Sequence, residues 1–248
     1  MKEKIAGINT VMEAIKGGRR KVYKVFIQEG RGGRKIEDLV KLAQARGIFI
    51  QYVEKQKLDK MSPSKNHQGI IAQIEDYPYN SVEEILEYAV IKGEEPFLVL
   101  LDGIEDPQNM GAIVRTAECA GVHGVVIPRH NSVKITEAVV RASAGAVEHM
   151  RIAKETNLVN VIKFLKKQGF WIVGADANGD RNYFDLDYPV PLALVIGSEG
   201  EGMRRLVKEN CDILVKIPMK GNINSLNASV AAGLIMYEVV RQRNMVER

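Results

Sequence analysis

The chain has 248 residues, enough for one large domain or two small ones. Apolar residues make up 46% and charged residues 27%, an ordinary water-soluble balance, and no apolar run approaches bilayer-spanning length. Residues 1–76 hold 16 Lys+Arg against 9 Asp+Glu, whereas the rest hold 19 against 22, so a basic third precedes a slightly acidic remainder.

That asymmetry fits a polyanionic partner that touches one end, or a solvated lysine-rich surface. No long apolar segment follows Met1, so a cytoplasmic location is expected. Cys119 and Cys211 are too few for a disulfide framework and lack metal-ligand spacing. Both are expected as core thiols, with no metal site.

The basic third alternates helix and strand. Ile8, Val11, Met12 and Ile15 form a helical stripe, and VYKVFI (22–27) reads as a strand. Ile36, Leu39, Val40 and Ala43 repeat the stripe, which Gly47 stops. Residues 48–53 and 70–74 read as strands. GRGGR (30–34) is either a flexible turn or an arm that follows a phosphate backbone. His67 either touches RNA or is structural.

DYPYN (76–80) breaks the pattern as a linker, and a bridging helix with Val82, Ile85, Leu86 and Ala89 follows. From Phe97 onward the chain alternates strand and helix. Strands are expected at 97–101, 124–127, 151–153, 171–175, 193–196 and 213–217, with a helix at 158–168. Short continuous apolar runs indicate strands covered on both faces, hence an α/β domain with a mostly parallel sheet. Ligands of such sheets sit beyond the carboxyl ends of strands.

Three loops at those ends carry unusual residues. In the first, Asp106-Pro107 makes a turn and Asn109 stands at the next helix, as a cap or as a ligand group. Arg115 follows near that helix's N-terminus, among apolar neighbours, where it needs a structural carboxylate or a substrate phosphate. In the second, IGSEGEGM (196–203) exposes backbone amides around Glu199, without a P-loop or dinucleotide signature. A helix is expected from Glu201. In the third, Asn222, Asn224, Ser225 and Asn227 precede an apolar helix of small residues. Ser225 or Asn224 can cap that helix, which accounts for only one polar group.

Together the three segments resemble the motifs of the TrmH/SpoU family of RNA ribose 2′-O-methyltransferases, in the SPOUT class. They are DPQNMGAIVRTA (106–117), LVIGSEGEGM (194–203) and IPMKGNINSLNASVA (217–231). The N-terminal segment GINTVMEAI…VYKVFI…HQGIIAQI resembles the small substrate-binding domain, similar to ribosomal protein L30e, that many members carry. This arrangement is similar to the RlmB-like branch, which modifies a guanosine of large-subunit (23S) rRNA.

The resemblance implies an L30e-like RNA-binding domain at 1–76, a linker at 77–95 and a methyltransferase domain at 96–248. It implies a deep trefoil knot in the α/β domain, S-adenosylmethionine as cofactor, and a homodimer with active sites at the subunit boundary. By motif match, Gly197, Ile217 and Leu226 would contact the cofactor through backbone groups. Arg115 would be the central catalytic residue, with Asn109, Glu199, Ser225 and Asn227 fixing it and the ribose. Either Arg115 is held neutral as a base, or it holds a phosphate that takes the proton; a nearby Glu199 would favour the charged form and the second route. The alternatives are a tRNA ribose methyltransferase, or a non-catalytic RNA-binding ribosome-assembly factor on the same fold.

Overall fold

The structure, a computed structural model, describes residues 2–62, 67–188 and 191–246. Two compact units form: residues 1–78 with 134–149, and residues 79–133 with 150–248.

The first unit runs β1 (Lys2–Ala6), α1 (Ile8–Gly17), β2 (Val22–Gln28), α2 (Arg34–Ala45), β3 (Phe49–Val53), α3 (Lys55–Met61) and β4 (Ile70–Glu75). Its sheet has the order β1-β4-β2-β3, antiparallel except for the β2–β3 pair. The stripes of α1 and α2 bury Val11, Ile15, Leu39 and Ala43, and alternate strand residues Ile5, Val25, Ile27 and Ile70 are fully buried. The intervening residues Ala6, Phe26, Ile71 and Val53 form a second small core with Leu58 of α3. β1 and α3, which bury two and one apolar side chains respectively, carry no periodic signal of their own.

The remaining elements are α4 (Val82–Lys92), β5 (Phe97–Asp102), α5 (Pro107–Cys119), β6 (Gly124–Pro128), α6 (Glu137–Ala142), β7 (Ile152–Glu155), α7 (Leu158–Lys167), β8 (Trp171–Ala175), β9 (Arg181–Asn182), β10 (Leu192–Gly197), α8 (Arg205–Glu209), β11 (Ile213–Lys216) and α9 (Ala228–Val246). Of these, α6 and the 3-10 turn Ala146–Glu148 belong to the first unit, where α6 meets β1 and the turn meets α1. Gly17 lies so near the turn that a Cβ there would stand 2.6 Å from the Glu148 carbonyl oxygen. The buried Arg20 guanidinium donates to Glu148 Oε2 at 3.0 Å and to Glu3 Oε2 at 2.8 Å. Burial opposes its charge, but the two carboxylates prevail and hold it above its ordinary pKa.

In the second unit seven strands pair in parallel in the order β7-β6-β5-β10-β8-β11-β9. The central β5 (FLVLLD) and β10 (LALVIG) are buried at every position, as their unbroken apolar runs require. Ser81 and Glu84 close a capping box on α4. The three polar loops follow the carboxyl ends of β5, β10 and β11. The helix expected from Glu201 starts instead at Arg205, because residues 198–203 close a tight loop first.

Candidate active site

The first loop is set by Asp106, not Asn109. The Asp106 carboxylate accepts the Asn109 backbone N–H at 2.9 Å and caps α5, with Pro107 opening the helix. The Asn109 side chain is thereby free of capping duty, and its Nδ2 donates to Glu199 Oε1 at 2.9 Å.

Glu199 rides on a loop that folds back on itself. Ser198 and Gly202 exchange backbone hydrogen bonds of 3.1 and 3.0 Å, with Gly202 at φ +69°. A Cβ on Gly197 would lie 2.2 Å from the Gly202 carbonyl carbon, so only glycine fits where β10 ends. Buried Asp102, at the end of β5, anchors the far side of this loop. It accepts the Arg204 backbone N–H and Nε, each at 2.7 Å.

In the third loop the cap of α9 is Asn227, not Ser225 or Asn224. Its Oδ1 accepts the N–H groups of Ser229 at 3.0 Å and Val230 at 3.4 Å. Its Nδ2 donates to Asn109 Oδ1 at 2.8 Å and also to Glu199 Oε1. Glu199 Oε1 accepts the Ala228 N–H at 3.2 Å as well, which places a carboxylate at the positive end of a 19-residue helix. One hydrogen-bonded cluster therefore ties the three loops together.

A cavity of about 600 Å³ opens beside that cluster, at the ends of β8, β10 and β11. Gly197, Ile217 and Leu226 line it, with Glu199, Ser225 and Asn227 at its polar side. A second cavity of about 670 Å³ contains Asp106 and Asn109. The two share Ser198, Glu199, Glu201 and Gly202 as a common wall. Sequence reasoning points to the loop after Ala175, whose residues 175–178 line the first cavity, but not to Asp102 or Arg204; an acid ending an apolar strand was the available signal for Asp102.

Arg115 departs from expectation. It lies past the middle of α5, is exposed, and lines neither cavity. Among the described residues Glu199 pairs with amides rather than with Arg115. The run around Arg115 reads as apolar in sequence, but the helix turns Ile113, Val114 and Ala117 inward and Arg115 outward.

His67, His123, Tyr77 and Cys211 have structural surroundings. His67 is buried: Nδ1 accepts the Gly69 N–H at 3.0 Å, and Nε2 meets Asp59 at 2.8 Å. Burial holds His123 below its ordinary pKa against the pull of Glu94. A neutral ring also lets His123 Nδ1 accept the Phe97 N–H at 3.1 Å. Tyr77 is buried under the guanidinium groups of Arg19 and Arg20. Cys119 is exposed rather than in the core, because it falls on the outer face at the end of α5. Burial pushes the Cys211 thiol up to about 12, which removes it as a nucleophile.

The model of the SpoU rRNA Methylase family matches residues 96–237, which includes all three loops. The chain belongs to this family. The model for RNA 2′-O ribose methyltransferase substrate binding matches residues 4–80. As a SpoU methylase, the chain is 47% identical over 242 residues to YacO of Bacillus subtilis, a protein named for the TrmH family of tRNA/rRNA methyltransferases. That match covers 98% of this chain and 96% of YacO. Among solved structures, the SpoU methyltransferase AviRb of Streptomyces viridochromogenes, in complex with the cofactor AdoMet, aligns with a TM-score of 0.81 at 25% identity. It covers 98% of this chain and 91% of its own. The AdoMet-bound rRNA methyltransferase of Sinorhizobium meliloti aligns with a TM-score of 0.79 at 25% identity, over 97% of this SpoU methylase and 87% of its own chain.

Proposed function

We propose that this RNA methyltransferase transfers a methyl group from S-adenosylmethionine to a ribose 2′-oxygen, at a guanosine of large-subunit (23S) rRNA. The observation that carries the reading is the Asn109–Glu199–Asn227 cluster on the wall between two cavities. The about 600 Å³ cavity suits the cofactor. Ile196, Val215, Ala231 and Ile235 offer an apolar slot, and the backbone around Gly197, Ile217 and Leu226 supplies polar groups. The second cavity suits the target nucleotide, since a ribose there would face the shared wall.

S-adenosylmethionine, when bound, supplies a methyl already activated on a sulfonium. The protein must then align the nucleophile and help remove its proton. The bonds that Glu199 accepts from Asn109, Asn227 and Ala228 all end on Oε1, which leaves the acceptor sites of Oε2 open among the described residues. That oxygen can accept from a donor group of the target nucleotide and help hold it in place. A guanidinium is a poor base, so Arg115 is not assigned that task. Its role is to hold a substrate phosphate, and that phosphate takes the proton.

The outward placement of Arg115 supports a homodimer in which α5 and α9 meet a second copy. These helices already pack together, and α9 leaves Val230, Leu234 and Tyr237 exposed at i, i+4 and i+7. The interposition of β10 between β5 and β8, before the chain returns through β11 to α9, supports the deep trefoil knot. The full-length likeness to an rRNA methyltransferase favours ribosomal over transfer RNA as substrate. Within the chain, the basic residues 1–76 are suited to the RNA backbone.

Arg115→Ala tests the assignment. Methyl transfer should fall about 100-fold or more, while S-adenosylmethionine affinity by calorimetry stays within about twofold. Equal loss of cofactor binding, or an unchanged rate, would contradict it. Mixing Arg115→Ala with Glu199→Ala subunits should restore partial transfer if each site draws on both copies; no restoration would place each site within one copy.

A further inference from the structure

The first unit presents a sheet face that its own core leaves half covered. On this face α3 closes the half around Ala6, Phe26, Ile71 and Val53. The other half carries one cross-strand row over all four strands: Lys4 opposite Gln73, Gln73 opposite Lys24, and Lys24 opposite Phe49. Phe49 sits on the edge strand and is 60% exposed.

Lys24 organises the row. Its ammonium stands 4.7 Å from the centroid of the Phe49 ring and 5.4 Å from that of Phe26, and it donates to Gln51 Oε1 at 3.1 Å. The cation is thus held against aromatic rings instead of being spent on a carboxylate. The one carboxylate on this face of the paired strands, Glu75, lies in the next row at the end of β4. An open aromatic flanked by lysines and glutamine amides, on a sheet face, has the chemistry of a stacking platform for unpaired bases.

We infer that this face binds an unpaired stretch of the substrate RNA. One base stacks on Phe49, Lys24 and Lys4 meet the adjoining phosphates, and Gln73 offers its amide to a base edge. The inference rests on the RNA-methyltransferase reading above and adds a second contact surface, built on strands and separate from the loops that hold the reaction. Charge complementarity selects a polyanion over an apolar or basic partner, and the open Phe49 ring beside Lys24 favours RNA, whose bases can stack there, over an acidic protein.

The test uses the full-length protein and a fluorescently labelled 12-nucleotide single-stranded oligoadenylate, with methyl transfer to unmodified ribosomal RNA measured in parallel. Phe49→Ala should weaken oligoadenylate binding about 5- to 100-fold. Phe49→Trp should restore it, and Lys24→Ala should reduce the slope of log affinity against log salt by about 1. Melting temperatures of the three variants should stay near that of the parent. Unchanged oligoadenylate binding by Phe49→Ala and Lys24→Ala, or no binding by the parent protein, with methyl transfer intact would overturn the platform and leave the enzymatic reading standing. Absence of methyl transfer by the parent protein would overturn both.

Discussion

A single oxygen of Glu199 accepts hydrogen bonds from the side-chain amides of Asn109 and Asn227 and from the Ala228 N–H. Removing it leaves two amides and a helix N-terminus without their common acceptor, at the wall both cavities share. Glu199→Ala should therefore lower kcat for methyl transfer about 100-fold, since small misplacements at a reacting centre carry that penalty. Steady-state kinetics on RNA check this, and a variant that raised only KM would contradict the positioning role. At this scale the sequence pointed to residues of which Asn109, Glu199 and Asn227 meet in one cluster, and said less about what each of them bonds. Asn109 reads equally well as a cap, but Asp106 opens the helix three positions earlier and itself accepts the Asn109 N–H. Ser225 and Asn224 read as caps for α9, yet Asn227 alone stands at the correct offset. A shift of two or three residues decides such roles, and only the backbone path sets it. Arg115 was misplaced for a related reason: composition around it is apolar, whereas its angular position on α5 points it outward.

Among the elements, the loop after β10 shapes the cavity of about 600 Å³ proposed above for the cofactor. Its closure depends on the missing side chain at Gly197, where a Cβ would stand 2.2 Å from the Gly202 carbonyl carbon. Asp102 pins the other end through Arg204. Gly197→Ala should force the loop open. We expect S-adenosylmethionine affinity to drop at least about tenfold, with a lower melting temperature, measured by calorimetry and thermal unfolding. Parent-like affinity would show that the loop geometry is not what shapes the cavity. The long strands and amphipathic helices were legible because periodicity and unbroken apolar runs report burial directly. β1, α3 and β9 were not: each buries few apolar side chains, and β9 has only two residues. Tertiary pairing, not local pattern, makes them what they are.

For the molecule as a whole, chain order and fold diverge in one place. Residues 134–149 lie within the stretch matched by the methylase family, yet they pack into the first unit, where Glu148 meets the buried Arg20. A contact 128 residues apart leaves no trace in composition or period, so sequence reasoning ended the first unit before the linker. The function was more legible than this organisation, because three motifs at the carboxyl ends of β5, β10 and β11 already pointed to one site. The central claim is transfer of a methyl group to a ribose 2′-oxygen of ribosomal RNA, and nucleoside analysis tests it most directly. The purified protein is incubated with labelled S-adenosylmethionine and unmodified 23S rRNA or bulk tRNA, and the RNA is digested to nucleosides. The account predicts label in 2′-O-methylguanosine from 23S rRNA and none from tRNA; no label in either RNA, or label on a base, would contradict it.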